Sequence, residues 1–260
     1  MNAFTLNGKR ALVTGGTRGI GAAVAMLLGG AGADVCVGYR SRRGDAEKVV
    51  AGLAALGVKG EALAANLATA SGAESLVGHA VKELGGLDIL VHSAGIWPAD
   101  DVPATEMTEE RWSATLRENL DATFFVTRAA AKAMSAQGAR RNGGGRIVLV
   151  SSTAGQRGEA GHSDYAASKG AMISFVKSVA VELARHDITV NAVAPGWVDT
   201  EMCEAPFAGG GKERIAAGIP VGRVATPEDI AFPVVSLCFD GARHVTGEIL
   251  NVNGGAVLCG

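Results

Sequence analysis

The chain has 260 residues, of which 48% are apolar, and a formal charge of −2. That balance provides no basic field for neutralising phosphates, which argues against a nucleic-acid partner or an anionic membrane surface, and it permits one large core. Met1 to Arg10 lacks an apolar signal region and no apolar run approaches the ~18 residues of a membrane span, so a soluble cytoplasmic protein is expected.

In chain order, short β-rich runs alternate with helical patterns, the signature of a parallel sheet covered by helices on both faces. Arg10 to Thr14 reads as a buried first strand, followed by Ile20, Val24, Leu27 and Leu28 at helical spacing. Asp34 to Tyr39 forms a second strand, about Gly44 to Leu56 a helix, Val58 to Ala64 a third strand and Ser71 to Leu84 another helix. Leu87 to His92 is a compact fourth strand ending at Ser93-Ala94-Gly95. A long helical pattern runs from Thr108 to about Gln137, and Gly143-Gly144-Gly145 breaks it before a fifth strand, Arg146 to Val150.

The helix from Ser163 to about Arg185 carries Met172, Phe175, Val176, Val179 and Leu183 on one stripe. Thr189 to Ala194 is a sixth strand stopped by Pro195-Gly196. Val198 to Val221 has little periodicity, and a gap of this length is usually functional or disordered. Thr226-Pro227-Glu228-Asp229 starts a helix with Thr226 as N-cap and Pro227 at its first position, and Glu248 to Val252 is the last strand. No linker or solenoid repeat interrupts this order, so residues 1–260 are expected to form one domain. Cys36, Cys203, Cys238 and Cys259 lack ligand spacing and read as reduced thiols, with no metal site.

The first strand-to-helix turn is Thr14-Gly15-Gly16-Thr17-Arg18-Gly19-Ile20-Gly21. Glycines at 15, 19 and 21 permit a tight turn and close backbone approach to a pyrophosphate, while the helix start offers unpaired N–H groups to its charge. Position at the first strand and helix is the context a dinucleotide site demands. At the end of strand two an acid would bond the ribose hydroxyls of NAD and a cation would favour a 2′-phosphate. The run Tyr39-Arg40-Ser41-Arg42-Arg43 has no acid until Asp45, and Arg18 adds a cation in the loop, which favours NADP(H) over NAD(H). Arg18, Arg40 and Ser41 carry that reading; Arg42 and Arg43 equally suit a solvated helix start.

Tyr165 and Lys169 stand four apart and so share a helix face. A phenol titrates near pKa ~10, and a neighbouring ammonium favours the phenolate, making such a pair suited to proton transfer.

Together these motifs resemble the short-chain dehydrogenase/reductase family, over a match running from about Gly8 to the C-terminus. The family's TGxxxGxG motif matches Thr14 to Gly21, and its tyrosine and lysine match Tyr165 and Lys169. Its serine, thirteen residues before the tyrosine, matches Ser152, and its helix asparagine matches Asn119. The Pro-Gly after strand six matches Pro195-Gly196, with Thr200 beyond. Two positions depart: Asn-Asn-Ala-Gly after strand four is His92-Ser93-Ala94-Gly95 here, and an aspartate near the end of strand three is Asn66. His92 can make the same strand-tying hydrogen bond as an amide, a catalytic histidine being the alternative.

The resemblance implies a Rossmann fold: a doubly wound parallel α/β sheet of about seven strands in the order 3-2-1-4-5-6-7. It implies catalysis by Asn119, Ser152, Tyr165 and Lys169. Tyr165 protonates a substrate carbonyl held by Ser152, Lys169 lowers the tyrosine pKa and bonds the nicotinamide ribose, and Asn119 holds a relay water. Cofactor contacts are expected from Gly15, Thr17, Arg18, Gly19, Ile20, Gly21, Tyr39, Arg40, Ser41, Asn66, Leu67, Ser93, Ala94, Gly95, Tyr165, Lys169, Pro195, Gly196, Val198 and Thr200. Trp97, Gln156, His162 and Trp197 are expected to border the substrate, under a lid around 198–221 that includes the Gly-rich segment from Met202 to Ile219.

The resemblance is nearest to 3-oxoacyl-(acyl-carrier-protein) reductases, which implies an NADPH-dependent reductase of ketones or 3-oxoacyl thioesters on a small-molecule substrate that is free or carrier-bound. An NAD-dependent alcohol or sugar dehydrogenase is the alternative, and a non-catalytic dinucleotide-binding scaffold a remote one that the intact tetrad argues against. Family members commonly pair the Tyr165 helix and the long helix before it in homotetramers, which the apolar run Thr123 to Met134 permits.

Overall fold

The computed structural model describes residues 4–137 and 144–259. Gly143, the first glycine of the expected helix break, lies outside them. Seven strands, β1 (Arg10–Thr14), β2 (Asp34–Tyr39), β3 (Gly60–Ala64), β4 (Ile89–His92), β5 (Gly145–Val150), β6 (Ile188–Pro195) and β7 (Ile249–Val252), form one sheet in the order β3-β2-β1-β4-β5-β6-β7. All its pairs are parallel. The expected strand order and fold class therefore hold, with boundary differences of one or two residues.

The strands read as continuous apolar runs because both faces of the sheet are covered. Successive side chains alternate between two cores: Ala11, Val13, Val35 and Val37 face helices α1 (Gly19–Gly30), α2 (Arg43–Ala55) and α10 (Pro227–Ser236). Leu12, Cys36 and Leu90 face α3 (Ala70–Leu84), α5 (Ala122–Ala136) and α7 (Ser163–Ala184). Met172 and Val176, from the apolar stripe of α7, are fully buried there, and each such side chain stabilises by roughly 1.5–3 kcal/mol. α10 starts as the sequence predicts: Thr226 and Asp229 form a reciprocal capping box and Pro227 takes the first turn.

Two segments differ from expectation. The long pattern from Thr108 is three pieces: α4 (Glu109–Leu116), a π-helical turn (Arg117–Asp121) and α5. Hydrophobic periodicity is nearly blind to one inserted residue, and π turns occur mainly where function needs a backbone displaced. Residues 198–221 are not structureless, holding a 3-10 turn (Glu201–Cys203), α8 (Glu204–Phe207) and α9 (Gly211–Ala217). These helices are too short to show a period.

The order reverses between β1 and β4, and ligands in such sheets bind beyond the carboxyl ends of the strands at this switch point. The loops after β1, β2, β4, β5 and β6 converge there.

Candidate active site

The turn after β1 runs close beneath the end of β4. Gly15 has φ +63°, and a Cβ on it would stand 2.9 Å from the Ala94 backbone; one on Gly21 would stand 2.1 Å from the Gly15 carbonyl. Only glycine permits this approach of helix to turn. Arg18 flanks α1 without a side-chain cap, so the first N–H groups of the helix face the cleft. These features fit a pyrophosphate. The first cleft is lined by Gly15, Thr17, Arg18, Gly19, Ile20, Gly21, Tyr39, Arg40, Ser41, Asn66, Leu67, Ser93, Ala94, Gly95 and Thr200, which brings most of the expected cofactor residues together. Pro195, Gly196 and Val198 line the adjoining second cleft, as do Tyr165 and Lys169.

Arg42 also lines the first cleft, whereas Arg43 stands outside it and pairs with Glu47. The arginines are bridged by carboxylates: Arg18 and Arg42 both bond Glu201, at 2.5 and 2.9 Å, and Arg40 bonds Glu118 at 2.6 Å. Glu118 and Glu201 are site residues that sequence reasoning missed, because pairing across 78 to 183 positions leaves no local signal. Arg42, which by sequence suits a solvated helix start, turns to the cleft and Glu201.

His92 is fully buried at the end of β4, and its Nδ1 stands 2.7 Å from the Thr14 hydroxyl on neighbouring β1. Burial, and then the Lys169 charge, push its pKa down to about 3. It is a neutral tie between strands and lines neither cleft, which sets aside the catalytic alternative.

Ser152, Tyr165 and Lys169 meet in the second cleft. Ser152 leaves β5 as the N-cap of α6 (Thr153–Arg157), accepting from the Ala154 N–H at 3.1 Å. Its neighbour Ser151 is buried and donates to the Lys169 carbonyl, satisfying backbone as a strand-end serine does. One turn of α7 separates Tyr165 from Lys169, whose Nζ lies 5.7 Å from the phenol ring centre and donates to the Val150 carbonyl at 2.9 Å. Burial pulls the Lys169 pKa down to about 8.

Tyr165 corrects one expectation. Burial raises its pKa above the ordinary phenol value, against a lowering hydrogen bond from Ser152. Desolvation of the phenolate is the largest cause, and the nearby Glu159 carboxylate acts in the same direction.

Asn119 lines neither cleft. The π turn carries it into the interior, where Oδ1 accepts from the Ile96 N–H at 2.8 Å and Nδ2 donates to the Ile96 carbonyl and the Ser168 hydroxyl. Its side chain therefore fastens the turn after β4 to α7, leaving no side-chain donor for the expected relay water.

Of the expected substrate residues, Trp97 and Trp197 line the second cleft at 6.1 Å between ring centres and 81° between planes. Gln156 and His162 do not line it. Gln156 reaches Asn251 on β7 at 2.5 Å, and His162 is buried, stacked behind Trp97 at 4.5 Å and 3.3 Å from Asp101. Their place in the loop after β5 was readable, but not which way each side chain points. Conversely, Arg157 and Glu159 line the cleft unforeseen, and Cys203 of the expected lid segment lines it too. No cluster of three potential metal ligands occurs among the described residues, and no helix among them is long and apolar enough to cross a membrane.

Comparison with known proteins agrees with this geometry. A family model described as enoyl-(acyl carrier protein) reductase matches residues 15–257. A 3-oxoacyl-(acyl-carrier-protein) reductase of Synechocystis is 38% identical over 97% of this chain and 98% of its own length. The chain belongs to the short-chain dehydrogenase/reductase family. As a short-chain dehydrogenase/reductase it is an oxidoreductase, and the Vibrio cholerae enzyme of the same name is 39% identical over 98% of this chain and all of its own. Among solved structures, a Sinorhizobium meliloti dehydrogenase/reductase has TM-score 0.89 and 36% identity, covering 98% of both chains. A Burkholderia cenocepacia short chain dehydrogenase in complex with NADP has TM-score 0.88 and 38% identity, covering 96% of this chain and 98% of its own.

Proposed function

We propose that this short-chain dehydrogenase/reductase is an NADPH-dependent reductase of ketones, with 3-oxoacyl thioesters in its substrate range. The observation that carries the reading is the meeting of Ser152, Tyr165 and Lys169 in a cleft continuous with one lined by Arg18, Arg40, Ser41 and Arg42. The three arginines suit a 2′-phosphate, the uncapped start of α1 suits the pyrophosphate, and Pro195, Gly196, Val198 and Thr200 lie where they can border the nicotinamide end. Bound there, the dinucleotide supplies hydride.

The protein's own groups handle the proton and the geometry. Ser152 donates a hydrogen bond to the substrate carbonyl oxygen, orienting it toward the phenol. Tyr165, protonated at neutral pH as a phenol is, delivers its proton to that oxygen. Lys169 supplies a cation that stabilises developing phenolate, and its lowered pKa suits it to return a proton. Asn119 acts as a positioning residue by fixing the Gly95–Ile96 turn against Ser168.

The same reading includes a cytoplasmic homotetramer, supported by the exposed apolar side chains Phe124 on α5 and Val181 on α7. It also makes residues 198–221 a lid, supported by Glu201 bridging to Arg18 and Phe207 standing 5.9 Å from Trp197. Steady-state rates with NADPH and NADH over a panel of ketones, 3-oxoacyl thioesters and alcohols test the assignment. Tyr165→Phe should lower turnover roughly 10²–10⁴-fold, and a variant with full turnover would refute the proton-transfer role.

A further inference from the structure

We propose that Glu159, with Trp97 and Trp197, forms a cation-recognition subsite beside the reacting centre, so that the preferred substrate is a ketone bearing a protonated or quaternary amine. This rests on the reductase reading, in which Ser152 and Tyr165 fix where the carbonyl lies.

Glu159 sits in the turn between α6 and α7 and lines the same cleft as Ser152 and Tyr165. The Trp97 indole N–H donates to its Oε2 at 3.3 Å. A carboxylate offers about four acceptor sites, so this single donor leaves most of its capacity free. No ion pair among the described residues includes Glu159. Besides Lys169, the cation of the cleft lining is Arg157, which is exposed at the rim where solvent screens it. His162 acts on Glu159 from behind Trp97, but its ring forms no hydrogen bond to that carboxylate, and its Nδ1 stands 3.3 Å from the Asp101 carboxylate.

Burial holds the Glu159 carboxyl above the ordinary carboxylate range, although His162, Trp97 and Arg157 act in the lowering direction. A half-buried carboxylate short of a counter-charge discriminates in favour of a cation over a neutral or anionic group in the same cleft. The aromatic walls favour the same ligand. Trp97 and Trp197 stand nearly perpendicular, with Phe207 beyond Trp197, and a cation within about 6 Å of a tryptophan face is drawn to it. The His162 stack fixes the Trp97 ring, so the box is preorganised. An anionic substrate would meet both the carboxylate and the negative ring faces.

The test compares acetonyltrimethylammonium, its neutral isostere neopentyl methyl ketone, and levulinate as substrates with NADPH. In the wild type, kcat/KM for the ammonium ketone should exceed that for the neutral isostere about tenfold, with levulinate poorest, and Glu159→Gln should bring the ammonium-to-neutral ratio near one. Equal wild-type values, or a ratio unchanged by Glu159→Gln, would overturn the proposal.

A second arm needs no turnover. Titration with tetramethylammonium chloride, against sodium chloride at equal ionic strength, should quench tryptophan fluorescence saturably in the wild type and at least about fivefold more weakly in Glu159→Gln. Quenching indistinguishable from sodium chloride would also overturn it. Failure of the reductase reading has a different signature: no NADPH consumption with any ketone while tetramethylammonium still binds.

Discussion

Lys169 provides a test of the site's electrostatics that needs no substrate. It is buried and its pKa lies near 8, against 10.5 for a free lysine, so the folded chain holds its charged form at a cost. A difference of this size corresponds to about 3 kcal/mol. Below pH 8 both folded and unfolded states carry the proton and the cost is present in full. Between about 8 and 10.5 the unfolded state binds more protons than the folded one, so stability rises with pH. From pH 7 to 9.5 the gain from this residue is about 2 kcal/mol.

Lys169→Met removes the titration. It also leaves the Val150 carbonyl without its 2.9 Å donor, a pH-independent loss of about 1–3 kcal/mol that offsets part of the relief at pH 7. Urea unfolding of both proteins at pH 7 and 9.5, at one fixed protein concentration, isolates the lysine, since every other group titrates alike in the two. The wild-type midpoint should gain about 0.7 M on the variant over that interval for a slope near ~3 kcal/mol/M. Midpoints that move in parallel would show that Lys169 is not desolvated, and the proton-return role given to it would fall with that result.

Four further outcomes are expected. Arg40→Asp combined with Arg18→Ala should shift preference toward NADH, measured as the ratio of kcat/KM values; unchanged NADPH affinity would place the 2′-phosphate elsewhere. Glu201→Gln should free Arg18 and Arg42 and tighten NADPH binding several-fold, with a smaller effect on NADH, by titration of cofactor fluorescence. Asn119→Ala removes three buried hydrogen bonds and should cost about 3 kcal/mol in unfolding experiments; a loss under ~1 kcal/mol would deny it the positioning role. Val181→Asp on the exposed α7 face should reduce the assembly size seen by light scattering, and an unchanged mass would remove that face from any interface.

The glycine loop and the Tyr165–Lys169 pair were legible because each depends on local geometry: a tight turn into a helix, and two residues one helical turn apart. The strand order followed from alternating β and helical patterns once the family resemblance was recognised. The thirteen-residue serine-to-tyrosine spacing of the resembled family separated Ser152 from Ser151, and the structure gives Ser151 the backbone role left to it. The π turn at Asn119 was not legible, since one extra residue in a helix scarcely alters hydrophobic spacing. Side-chain direction in the loop after β5 was not legible either: Gln156 and His162 point away from the cleft, while Glu159 points into it.

What the sequence by itself determined is the set of local devices, meaning which turns need glycine, which faces are apolar and which residue pairs share a helix face. Only the tertiary structure decided the charges. Arg18, Arg42 and Glu201 come together because the loops after β1, β2 and β6 converge over the carboxyl edge of the sheet although β4 and β5 separate β6 from β1, and burial on α7 raises Tyr165 and lowers Lys169. Both effects depend on distance and desolvation between segments far apart in the chain, and no spacing within the sequence encodes either.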